Sequence, residues 1–346
     1  MPVTVKDIAR KVGVSHSTVS RALNGSRVIS DKTIRQIQKV AEEMGYSPSA
    51  SARALKTNRS QVLGVVLSSI DDPFFSEILQ GIENGMQGTG YSLFIAAAHR
   101  DPVREREIVQ AMVEHRVDGV IICSTSFSKD QSAQFLQFGV PIVVINNQAA
   151  EDFRYSIYHD DVDGSRQLAR HLLELGHTRI AYCGNSISGR TTLDRLTGLR
   201  TEMEFKGLSI PSEYIFNAPG GKPDLGIEAA EYFVSLPIRP TAVFCFNDLL
   251  AIGMIQGLKN LGIRVPEDVS VTGFDNIIFS AFTNPPLTTL DQPKDFIGAE
   301  AARLMLNLLI PGSTDDAAEQ ENVRVLKGKL LVRASTSSPL TGTPEF

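Results

Sequence analysis

Up to residue 46 the apolar positions recur at helical spacing in three short stretches. From residue 61 they gather instead into strand-sized runs. In the first stretch Ile8 and Val12 form the apolar stripe, Thr4 stands as cap with Asp7 three residues on, and Gly13 ends the helix. In the second, Ser15 caps, Val19 and Leu23 turn inward, and Asn24-Gly25 stops the run. The third opens at Ser30 and carries Ile34, Ile37, Val40, Ala41 and Met44 inward as far as Gly45. Only Gly13-Val14-Ser15 separates the first two helices, so they must cross steeply, as in a helix-turn-helix. Residues 47–60 read as a linker with helical leanings: Ser47-Pro48 can open a helix, and Ala50, Ala52, Ala54 and Leu55 favour one. At about eight or nine residues it falls below the ~12–15 at which an isolated helix holds in water, so it should form only when something packs on it.

Beyond residue 61 the runs 62–67, 92–97, 119–123 and 142–146 alternate with helical stretches near 73–88, 102–115 and 129–138. The alternation resumes with runs at 179–183, 241–246 and 269–274 and helices near 163–175, 189–206, 223–235 and 248–261. Continuous rather than alternating apolar runs belong to strands covered on both faces, hence to doubly wound parallel sheets. Two such sets imply two lobes, with 287–293 and 322–336 as chain returning between them. The predicted organisation is an α/β chain: a helix-turn-helix domain at 1–46, a hinge helix or linker at 47–60, and a two-lobed domain at 61–340 with crossovers near 161, 291 and 322. A ligand site in such an architecture lies at the carboxyl ends of the strands, in the cleft between lobes.

The chain has 346 residues, 42% hydrophobic and 21% charged, with a net charge of −5, which excludes general disorder. That small net charge hides a sharp division. Residues 1–60 carry eleven Lys and Arg against four acidic residues, a net +7, and the remainder carries −12. A basic head on an acidic body points the head at a polyanion. The longest apolar runs are strand-sized, so no membrane partner is expected, and the charged start lacks the apolar core of a secretory signal. Cys123, Cys183 and Cys245 each lie within a strand-like run, as buried thiols in a reducing compartment would; a cytoplasmic location is expected.

Motifs in order along the chain now carry a resemblance. Val3-Thr-Val-Lys-Asp-Ile-Ala-Arg, Gly13-Val-Ser-His-Ser-Thr-Val-Ser-Arg-Ala-Leu-Asn-Gly, Gly45-Tyr-Ser-Pro and Ala52-Arg-Ala-Leu closely resemble the LacI/GalR family of bacterial transcription regulators. The likeness continues through Asp72-Pro-Phe-Phe, Val117-Asp-Gly, Leu175-Gly-His, Phe246-Asn-Asp, Pro266-Glu-Asp-Val-Ser-Val and Gly273-Phe-Asp-Asn to Gln292-Pro. It spans about residues 1–336. The body also resembles periplasmic sugar-binding proteins, but the helix-turn-helix head decides against a transported receptor.

The resemblance implies a homodimeric regulator, more often a repressor, that binds a palindromic double-stranded operator under control of a small-molecule effector, periplasmic-binding-protein-like in its body. His16, Ser17 and Arg21 match the family's base-reading positions; Arg can fork onto guanine O6 and N7, while Ser and His offer single adaptable hydrogen bonds. Thr4, Ser15, Thr18, Asn24, Ser30, Thr33 and Tyr46 would contact phosphates and set register. In the family the leucine at Leu55, followed here by Lys56, enters the minor groove where two hinge helices pair and wedges the duplex open.

For the effector, Asp72 with Phe74 and Phe75 suits a sugar, whose hydroxyls need acceptors and whose C–H faces need rings. The resemblance adds Asn146, Asn147, Asp160, Asn247, Asp275 and Gln292, each following a strand. Taken singly, any such Asn or Asp serves equally well as a helix cap. The chain departs from the family at Leu193, where many members carry Arg; Arg190 is the nearest cation to replace it. Asn146-Asn147 stands where some relatives have Asp-Arg, and Gly220-Gly221 where an aromatic is often found, so the cleft is expected to be less charged and less aromatic. Phe244 and Phe246 read as alternate core residues, and His171 and His177 as residues at a helix end. A neutral sugar or polyol is the leading effector. The alternatives are a sugar-binding module without regulatory DNA binding, and a regulator answering to a phosphoprotein corepressor. Gly184-Asn-Ser-Ile-Ser-Gly-Arg190-Thr191 falls one residue short of a phosphate loop and has Arg in place of its lysine, no dinucleotide fingerprint follows a strand, and nothing local marks a nucleophile triad or zinc spacing. The reading therefore requires neither enzyme activity nor a cofactor or metal.

Overall fold

In the computed structural model the described residues are 3–23, 28–46, 59–123, 134–135, 137–146, 155–310 and 323–340. The chain divides into Met1–Ser60 and Gln61–Phe346. In the head, α1 (Val5–Val12), α2 (His16–Leu23) and α3 (Asp31–Glu43) surround Ile8, Ala9, Val19, Ala22, Ile37 and Ala41. The first helix starts at a reciprocal cap, in which Thr4 N–H and hydroxyl both donate to the Asp7 carboxylate, at 3.0 and 2.6 Å. It ends at Gly13, whose φ of 78° a side chain would resist. Ser15 accepts the Thr18 N–H at 3.1 Å and Ser30 the Thr33 N–H, so both caps form. Leu23, Ile34, Val40 and Met44 are only half-buried on this core.

The second unit holds two parallel sheets. In lobe one the strands are β1 (Val62–Leu67), β2 (Ser92–Ala97), β3 (Gly119–Cys123), β4 (Ile142–Ile145), β5 (Ser156–His159) and β11 (Val323–Leu326), ordered β11-β5-β4-β3-β1-β2. Leu63, Val65 and Leu67 face α4 (Pro73–Met86) and α10 (Lys294–Leu309), while Val66, Val120 and Val144 face α5 (Pro102–Glu114). In lobe two β6 (Ile180–Asn185), β7 (Ile215–Ala218), β8 (Ala242–Cys245) and β9 (Ser270–Thr272) are ordered β7-β6-β8-β9. Ala181, Cys183, Val243 and Cys245 meet α8 (Pro223–Ser235) and α9 (Asp248–Asn260); Ile180, Tyr182, Ala242 and Phe244 meet α6 (Asp161–Glu174) and α7 (Arg190–Phe205). This two-sided burial is why the runs read as continuously apolar. The three cysteines are buried free thiols.

Chain passes between lobes after His159, between β10 (Thr289–Asp291) and α10, and between β11 and β12 (Lys329–Leu331), which pairs antiparallel with β10. The third passage lies a few residues beyond position 322. Short β5 and β7, and α10 with its buried stripe Ile297, Ala301, Ala302 and Met305, fall outside the alternation read from the sequence. Of the helix expected near 129–138, only residues at its end are described, with Phe135 in the core. His171 and His177 tether the final segment: His171 bonds Thr336 at 3.0 Å, and His177 meets Thr241, Ser270 and the Ser337 carbonyl. Among the described residues no helix is long and apolar enough to cross a membrane.

Candidate nucleic-acid interface and ligand cleft

The second helix of the head buries Val19 and Ala22 and exposes His16, Ser17 and Arg21 together. That division follows from the helical period: positions 16, 17 and 21 lie away from the stripe that 19 and 22 turn inward. Thr4, Ser15 and Ser30 are exposed at the helix starts, where the Ser15 and Ser30 hydroxyls already accept backbone N–H groups and the Thr4 hydroxyl donates to Asp7. Thr18 and Thr33 are half-buried beside them, and Tyr46 packs partly on the head's core. Asn24, Leu55 and Lys56 lie outside the described residues, as does Asn147 of the cleft.

Between the lobes lies a small cavity of about 30 Å³. Lobe one contributes Asp72, Phe74, Phe75, Arg100 and Asn146; lobe two contributes Asp161, Ser188, Thr191, Arg195, Phe246, Asn247 and Asp275, with Gln292 at the crossover. Asp72 caps α4 through the Phe74 N–H at 3.0 Å, which places Phe74 and Phe75 on the first turn with rings edge to face. Asn247 likewise caps α9 at 2.9 Å. A cap thus fixes each side chain at a strand's carboxyl end, where the cleft opens. The lobes touch in this structure: Arg100 Nη1 donates to Ser188 Oγ at 2.7 Å, and Lys222 lies 3.5 Å from Asp71.

Arg195 organises the lobe-two wall. Its guanidinium donates to Asp161 at 3.1 Å, to Asp275 at 3.4 Å and to the Phe246 carbonyl, and lies between the rings of Phe246 and Phe274, 4.5 and 3.7 Å from their centres. Burial pushes Asp161 upward, but Arg195 and His159 outweigh it and hold the carboxyl below its usual range. Asp275 goes the other way: burial raises it to about 7, more than Arg195 can offset, with Asp72 adding repulsion. Burial also raises Asp72 and lowers Arg100. Gln292 Nε2 donates to Asp275 at 2.6 Å.

Several expectations need correction. Arg190 does not replace the missing arginine: it pairs with Asp194 at 2.7 Å, its side chain is 62% exposed, and it lies outside the cavity lining. One helical face carries Thr191 and Arg195 into the cleft, and positions 190 and 194 lie off it. Asp160 is occupied in capping α6 through Asp163 N–H at 2.9 Å, and the next residue, Asp161, lines the cleft instead. The cleft lining holds Asp72, Asp161, Asp275, Arg100, Arg195 and three phenylalanines. Phe246 is not simply a core residue like Phe244; it lies past the end of β8 and lines the cavity. Sequence reasoning missed Arg100, Asp161, Ser188, Thr191 and Arg195. The four-residue spacing of Thr191 and Arg195 was the available signal; for Arg100, held at a φ of 60° after His99 at 53°, there was none.

Residues 4–49 match the bacterial regulatory proteins of the lacI family, and residues 169–336 match the periplasmic binding protein-like domain. An HTH-type transcriptional repressor PurR of Actinobacillus pleuropneumoniae is 32% identical over 303 residues, covering 88% of this chain and 90% of that protein. The chain belongs to the LacI family. A second relative of this LacI-family chain, the PurR repressor of Vibrio vulnificus, is 30% identical over 331 residues, 95% of this chain and 97% of that one. Among solved structures, the Lac repressor dimer bound to operator and the anti-inducer ONPF aligns with a TM-score of 0.87 at 25% identity, covering 97% of this chain and 100% of that one. The CelR–cellobiose complex aligns at 0.71 with 27% identity, covering 96% and 99%. This LacI-family protein is a DNA-binding transcription regulator with an effector-binding domain, and not an enzyme.

Proposed function

We propose that the protein is a repressor that grips a palindromic operator as a homodimer and is controlled by a neutral sugar or polyol in the cleft. Residues 1–46 bind DNA, 47–60 form the hinge, and 61–340 bind the effector and the second copy. His16, Ser17 and Arg21, exposed together on α2, read bases. Thr4, Ser15, Thr18, Asn24, Ser30, Thr33 and Tyr46 position the head on phosphates, and Leu55 with Lys56 enters the minor groove.

The observation that carries the effector reading is the mixture of groups lining one cavity between the lobes. Asp72 and Asp275 accept, Asn146, Asn247 and Gln292 both donate and accept, and Phe74, Phe75 and Phe246 supply rings. Arg195 is already bonded to two carboxylates and a carbonyl, which leaves the hydroxyl-seeking groups to a ligand without a strong charge. The dimer reading rests on an open, largely apolar groove lined by Ile278, Phe279 and Phe282, which are 63%, 54% and 80% exposed. A thermal-shift panel of sugars, polyols and purines tests the effector. Stabilisation by a neutral hydroxylated compound, worth about 2.7 kcal/mol at a hundredfold excess over its Kd, is expected. Stabilisation by purines alone would replace the sugar reading, and none at all would favour a protein corepressor.

A further inference from the structure

Behind the cleft, Asp275 and Asn276 hold φ values of 110° and 52°. Such backbone is strained for non-glycine residues and persists only where its surroundings overdetermine it. Asp291, Ser280 and Arg333 bond the Asn276 side chain, and the group that bonds both backbone carbonyls is Lys294, the first residue of α10 and only 3% exposed. Its ammonium donates to the Asp275 carbonyl at 2.5 Å and the Asn276 carbonyl at 3.0 Å, and lies 3.3 Å from Glu77 Oε2 on α4. A buried cation is costly to desolvate, and a helix N-terminus is the wrong end for one. Both penalties are met here by contacts that run between lobes: Asp275 and Asn276 belong to lobe two, and Glu77 to the helix that starts at Asp72 and carries Phe74 and Phe75 into the cavity.

We propose that Lys294 is the positioning residue of this cleft: it locks the Asp275–Asn276 backbone so that the Asp275 carboxylate faces the ligand, and through Glu77 it makes α4 sense what occupies Asp275. The proposal rests on the cleft being the effector site. Ligand hydroxyls that bond Asp275 pull on a segment whose carbonyls share one ammonium with α4, so a shift on one lobe alters the contact on the other. The charged groups around Asp275 are Arg195, Asp72, Lys294 and Asp161, with Arg100 and buried Asp248 also within reach. Lys294 is thus one of the cations, with Arg195, that hold the Asp275 carboxyl down against its burial.

The test uses the whole chain without ligand: hydrogen exchange by mass spectrometry, and NMR titration of carbon-13-labelled aspartate. Lys294→Met keeps the length and removes the charge. We expect exchange to quicken by about tenfold or more in both 273–282 and 73–80, with the head unchanged. The Asp275 midpoint should move above its value of about 7, and Lys294→Arg should keep it in place. Unchanged exchange and midpoint would overturn the proposal, and quickening in 273–282 alone would overturn the link to α4. Should Lys294→Met fail to fold, Glu77→Gln leaves the carbonyl bonds in place and should quicken 73–80 while sparing 273–282; no change there overturns the link as well. Neither readout needs an effector, so an empty metabolite panel would count against the site reading and leave this result standing.

Discussion

At the scale of single residues, the cleft is governed by how one arginine is shared among buried carboxylates. Arg195→Met leaves Asp161 and Asp275 buried without their shared cation, and should lower unfolding stability by about 3–5 kcal/mol in urea titration. A loss below about 1 kcal/mol, no more than an exposed surface pair contributes, would show that the network is slack. Asp275 makes a pH prediction of definite sign. Its folded pKa of about 7 lies above the ordinary 3.8, so between these values the folded state keeps a proton that the unfolded state has lost. Stability contributed by that proton is present at low pH and falls as pH rises towards 7, by at most about 1.4 kcal/mol per unit. Asp275→Asn cannot lose such a proton, so its melting temperature relative to wild type should climb from pH 5 to pH 8; a flat difference would contradict the assignment. Asp72, Asn247, Asp275 and Gln292 were legible because each follows a strand in a recognisable motif. Asp160 and Asp161 were not separable in sequence, because a helix start needs one carboxylate as its cap and only the backbone decides which of two neighbours supplies it.

Among the elements, close helix contacts and caps carry the fold. Gly298 and Gly81 let α10 and α4 meet backbone to backbone: an added Cβ would lie 2.1 Å from the Ile78 carbonyl oxygen or 2.0 Å from that of Asp295. Gly298→Ala should therefore push the helices apart and destabilise lobe one by at least the 1–3 kcal/mol, roughly, of an overpacked core. Calorimetry checks this, and an unchanged melting temperature would refute the packing. Thr4→Ala removes one half of the reciprocal cap and should cost the head about 1 kcal/mol. The three head helices were legible to within a residue because each has a cap, an apolar stripe and a stop signal. Strand β7 was not, since its residues are mostly half-exposed and carry no continuous apolar run. Helix α10 had a readable stripe in Ile297, Ala301 and Met305, but it interrupts the strand–helix alternation that organised the reading.

For the whole molecule, the charge division and the two-lobed body assign the two tasks, gripping DNA and sensing a ligand, to different parts of one chain. Two lobes were legible from two sets of apolar runs; one contact that joins them, Arg100 on Ser188, was not, because it depends on left-handed backbone at His99 and Arg100. If the exposed groove of Ile278, Phe279 and Phe282 is where a second copy docks, Phe282→Asp should give monomers in sedimentation while each monomer stays folded. The most direct measurement is competition anisotropy between a palindromic duplex, selected by the protein from a random pool, and a scrambled duplex at about 0.15 M salt. A preference of roughly 10³ or more for the selected duplex, lost in Arg21→Ala, is expected. Equal binding to both duplexes at every salt concentration would contradict it.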